Sequence, residues 1–103
     1  MITIQIGGSG ERRLEEADES WINQQINRRR DEGQPVCVRV TITTTSLNLT
    51  LTTPGCAGTG GGGRAPNQRE QQVFELWQKR GLNTADFSGG NLVAFLKQLE
   101  RLI

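Results

Sequence analysis

Two cysteines, a run of glycines and a triplet of arginines are the groups in this 103-residue chain whose types and spacing bear on chemistry. Gly58, Gly60 and Gly63 satisfy the pattern G-x-G-x-x-G, Cys56 precedes them and Arg64 follows. Successive backbone N–H groups of such a loop, with an arginine beside them, can cradle a phosphate, and a nearby thiolate is a competent nucleophile. This defines one candidate site: Cys56 as nucleophile, with Gly58, Gly60, Gly63 and Arg64 as the anion cradle of a phosphate- or nucleotide-binding enzyme.

The surroundings argue against it. A dinucleotide fold needs a further strand after the loop, carrying an acid for the ribose, and here only helical patterns follow. The segment lacks the G-K-[ST] of an NTPase phosphate loop, and Cys56 stands further from Arg64 than cysteine and arginine do in the loop of cysteine-dependent phosphatases. With no histidine, the chain lacks the commonest general base and metal ligand. Two thiols alone do not make a zinc site, so no cofactor or metal is expected. Cys37 and Cys56 are near enough for a loop to bring them together, but two free thiols are the expectation for a cytoplasmic protein. Arg28, Arg29 and Arg30 lack the interleaved aromatics of a nucleic-acid surface and are offset by Asp31 and Glu32, so nucleic acid is not an expected partner.

Bulk properties point the same way. Twelve basic and eleven acidic residues leave a formal charge of +1, too little to draw the chain to nucleic acid or an anionic membrane. The first residues have neither the basic start nor the apolar run of a signal peptide, and no stretch approaches the ~20 apolar residues of a membrane span. A cytoplasmic location and no membrane partner are therefore expected.

The elements that would position these groups follow from periodicity. Ile2, Ile4 and Ile6 alternate with polar residues as in a half-buried strand, which Gly7-Gly8 ends. Leu14, Ala17, Trp21, Ile22 and Ile26 make an apolar stripe that predicts one helix from residue 9 to residue 32, stopped by Gly33 and Pro35. Val36, Val38, Val40 and Ile42 alternate in one parity and Leu47, Leu49 and Leu51 in the other. The change of parity predicts a hairpin turning near Thr44-Thr45, with Ile42 opposite Leu47, Val38 opposite Leu51 and Cys37 opposite Thr52. Residues 54–66 read as a glycine-rich flexible loop.

Beyond it, Asn67 and Glu70 have the spacing of a capping box and begin a helix that Gly81 closes. A last helix begins near Ser88, with Phe87 and Leu92 placed as a hydrophobic staple. The expected fold is α+β in the order β-α-β-β-α-α: a three-stranded, mixed but mostly antiparallel sheet with helices on one face. Residues 1–103 form one domain, divided into a β-α-β-β half (1–53), the loop (54–66) and a helical hairpin (67–103). Trp21 and Trp77 are expected as core anchors.

Faces and edges outnumber reactive groups, so the functional expectation is a non-enzymatic protein-interaction module, an adaptor or regulatory component. Two surfaces are candidates: a sheet edge at Thr41 and Thr43 on the first hairpin strand, and the C-terminal helical face carrying Trp77, Leu96 and Leu99. A protein partner, including a second copy of the chain, is expected by either route.

Overall fold

The computed structural model describes residues 1–56 and 67–102. In chain order the elements are β1 (Ile2–Ile6), β2 (Arg12–Arg13), α1 (Glu19–Asp31), β3 (Val38–Thr43), β4 (Asn48–Thr52), α2 (Gln68–Lys79) and α3 (Gly89–Leu102). The class is α+β, as expected. Among the described residues, however, the sheet has four strands in the order β2-β1-β3-β4, and every neighbouring pair is antiparallel.

The difference arises between residues 7 and 18. Gly7 takes φ of 57°, and its N–H donates to the Cys37 carbonyl. The chain then doubles back so that Thr3 pairs with Arg13 and Ile4 with Arg12. The predicted helix therefore loses its first ten residues. It begins at Glu19, where the Asp18 carboxylate accepts the Trp21 N–H at 2.7 Å as N-cap. Because β2 reverses the chain before α1, β3 returns antiparallel to β1 and no parallel crossover forms. The other end of the helix matches expectation: Gly33, with φ of 71°, donates to the Arg30 carbonyl and Gln34 to that of Arg29.

The hairpin forms with its register displaced by two residues. Ile42 lies opposite Leu49, Val40 opposite Leu51 and Arg39 opposite Thr52. The turn takes Thr44 to Leu47: the Thr44 N–H donates to the Leu47 carbonyl at 2.7 Å, and the Thr44 hydroxyl accepts the Leu47 N–H at 2.9 Å. A displacement of two preserves parity, so Ile4, Ile6, Val38, Val40, Ile42 and Leu51 still share the buried face. Thr3, Thr41 and Thr50 form one row across the opposite face.

Helices α1, α2 and α3 cover the apolar face. Helix α1 contacts β1, α2 contacts β4, and α3 contacts both other helices. One cluster joins residues from both halves, from Ile4, Val40 and Leu51 to Val73, Trp77, Phe95 and Leu99. The C-terminal helices are therefore part of the sheet's core. Trp77 meets Phe95 edge to face at 5.2 Å between ring centroids. Arg80 Nε and Nη2 both donate to Gln98 Oε1, at 3.0 and 2.7 Å, tying the end of α2 to α3. Trp21 is only half-buried, with the Arg12 guanidinium 4.5 Å above its ring.

Candidate functional site: the outer edge of β4

The expected surface residues do not gather into a site. Trp77, Leu96 and Leu99 are 2%, 3% and 0% exposed, so the helical face is consumed by the core. Thr41 and Thr43 belong to β3, which lies between β1 and β4 and has no open edge. Sequence periodicity identifies a strand but does not say which neighbour lies on either side of it.

The sulfurs of Cys37 and Cys56 are bonded to each other, with their Cα atoms 4.4 Å apart, in place of the two free thiols expected. The register explains the pairing. Shifting the hairpin by two carries the residues after Thr53 back alongside Cys37. A cluster of close contacts holds them there: the buried Thr53 hydroxyl donates to the Val36 carbonyl at 3.1 Å and accepts the Val38 N–H at 2.9 Å. Gly55 passes so near that a Cβ there would lie 2.2 Å from the Val36 oxygen. Bonded in this way, Cys56 offers no thiolate, and nucleophilic chemistry there requires the bond to be reduced first. Gly58, Gly60, Gly63 and Arg64, the remainder of the proposed anion cradle and of the glycine loop, lie outside the described residues.

The arginine triplet is dispersed among structural roles. Arg29 Nη1 donates to the Gln25 carbonyl at 3.1 Å and to its side-chain oxygen at 2.9 Å. Arg30 donates to the Phe87 carbonyl and lies 5.0 Å above that ring. Arg28 approaches Glu32 at 3.9 Å. Among the described residues no group of three or more His, Cys, Asp or Glu side chains could hold a metal, and no helix is long and apolar enough to cross a membrane. A hollow of about 200 Å³ between Leu14, Ala17, Ile22, Val93 and Leu96 is smaller than the ~300–1,000 Å³ of ordinary ligand pockets.

Among the described residues, what the sheet leaves open is one side of β4. Backbone groups in an antiparallel ladder alternate between the two neighbours. Thr53 donates to the Val38 carbonyl, so Leu49, Leu51 and Thr53 bond inward to β3. Asn48, Thr50 and Thr52 therefore present N–H and C=O outward. Asn48 is occupied: its N–H donates to Glu70 Oε2 at 2.9 Å. That carboxylate is buried, and its Oε1 accepts the Asn67 N–H at 2.9 Å within the capping box of α2. Asn67 Nδ2 in turn donates to the Ser46 carbonyl at 3.0 Å. The capping box is legible in the sequence, but its second use, clamping the start of β4, is not.

Thr50 and Thr52 remain, their outward groups without a partner among the described residues. Phe74 stands one helical turn beyond Glu70 on α2 and is 45% exposed. Comparison with protein-family models, with curated proteins and with solved structures gives no match.

Proposed function

We propose that this chain is a small non-enzymatic protein-interaction module, an adaptor or regulatory component, that accepts a partner's extended segment along β4. The observation carrying this reading is that Thr50 and Thr52 have no outward backbone partner among the described residues. Sheet edges are normally blunted by charge, proline or a bulge. The run Asn48–Thr52 contains no charged residue and no proline, and its pairing with β3 continues without interruption. The opposite edge, β2, offers only two residues, both arginine. Backbone hydrogen bonds would supply the affinity and Phe74 an apolar contact beside them.

A photoreactive side chain placed at Thr50 should crosslink to one protein species in cells, while the same group at Thr3, on β1 inside the sheet, should not. Equal labelling from both positions, or none from Thr50, would sink the reading. A cytoplasmic location belongs to the same proposal, and the Cys37–Cys56 bond opposes it, because such bonds persist mainly where thiols are kept oxidised. Acid-quenched alkylation of the protein from its own cells decides the point: a cytoplasmic chain should be labelled at both cysteines.

A further inference from the structure

We infer that the strand received by β4 is β4 of a second copy of this chain, paired antiparallel about a two-fold axis at Leu51. The inference rests on the β4-edge reading and goes further by naming the partner. Only outward-facing residues can exchange hydrogen bonds across such an axis, which leaves three central registers to compare. If Thr50 faced Thr50 of the second copy, Thr52 would face Asn48, whose N–H is already given to Glu70. If Thr52 faced Thr52, Thr50 would face Pro54, which has no N–H to give.

The remaining register places Thr50 opposite Thr52 of the second copy, and Thr52 opposite Thr50. All N–H and C=O groups of both threonines are then paired. The two positions that cannot donate to a new strand, Asn48 and Pro54, fall opposite each other, so neither copy is left with an unmet donor. Each end of the open edge is thus closed by the chain's own chemistry at equal distance from Leu51. That symmetry is what an isologous contact requires and what a contact with an unrelated strand does not.

The pairing would join two four-stranded sheets into one and set Thr50 beside Thr52 on the threonine-bearing face. Phe74 is 45% exposed and stands one helical turn beyond Glu70, the residue that clamps Asn48.

Sedimentation equilibrium of the full chain from micromolar to millimolar concentration tests this. The unaltered protein should move from monomer to dimer mass as concentration rises. Thr50→Lys combined with Thr52→Lys brings like charges face to face and should weaken dimerisation about tenfold or more. Thr50→Lys combined with Thr52→Glu should restore it, because only this register sets position 50 against position 52. Amide exchange at Thr50 and Thr52 in the unaltered chain should slow as concentration rises, a readout that needs no variant. A monomer at millimolar concentration, a double-lysine variant that dimerises undiminished, or a lysine–glutamate variant that stays monomeric overturns the inference. A monomer that still crosslinks from Thr50 to a different protein ends this inference and leaves the β4-edge reading standing. Absence of both dimer and crosslink ends both.

Discussion

Thr53 shows how much depends on one hydroxyl. Its Oγ1 accepts the Val38 N–H in place of a ladder carbonyl and returns a hydrogen bond to the Val36 carbonyl, all in a buried setting. Thr53→Val keeps the shape and leaves both backbone groups unpaired, which should cost about 1–3 kcal/mol in urea unfolding with unchanged m-value. Thr53→Ser should lose much less. Two glycines make a similar contrast. A methyl on Gly55 would meet the Val36 backbone oxygen at 2.2 Å, whereas one on Gly89 would meet the Asn23 side-chain oxygen at 2.1 Å. The Val36 backbone, held by the Thr53 hydroxyl beside the Cys37–Cys56 bond, cannot yield, and a side-chain amide can. Gly55→Ala should therefore lower the thermal midpoint clearly, and Gly89→Ala should change it little.

Among the elements, α2 is docked onto the hairpin by its own N-terminus. Glu70 joins the first turn of α2 to the Asn48 N–H, and Asn67 joins it to the Ser46 carbonyl. Glu70→Gln keeps one acceptor oxygen where two now serve separate N–H donors. It should destabilise by about 1–3 kcal/mol and speed amide exchange at Asn48 before the rest of the sheet. The disulfide acts at the other end of the same hairpin, linking the residue before β3 to a residue four beyond β4. Its removal in Cys37→Ser with Cys56→Ser should cost about 3 kcal/mol on a chain-entropy estimate for a loop of this length. The denaturation midpoint of the unaltered protein with and without a dithiol reductant gives the same comparison. At this scale the sequence was clear where chemistry is local. The Asn67–Glu70 capping box, Ser88 at the start of α3, and Gly33 and Gly81 as helix ends with positive φ all stand where their residue types place them. It was silent on β2, because Arg12 and Arg13 show no alternation, although Gly7, Gly8 and Gly10 signal a turn rather than a helix start.

For the whole molecule, the question is which surfaces remain after the core is built. The apolar stripes of α2 and α3 read equally well as an interaction face or as core, and packing against the sheet consumed them, leaving Trp77, Leu96 and Leu99 buried. A strand's alternation likewise does not tell an edge from a centre. β3 became central because it returned antiparallel to β1 and then paired with β4, which is left as an edge strand among the described residues. The amino-acid order by itself determined the α+β class, the buried face of β1, β3 and β4, and every helix end but the start of α1, since these rest on side-chain period and on φ preferences within a few residues. Only the tertiary structure decided the strand order, the two-residue register shift that brings Cys56 to Cys37, and the placing of Thr50 and Thr52 on an edge strand. Those depend on pairings between residues far apart in the chain, where several arrangements satisfy the same local pattern and the packing of the whole core selects among them.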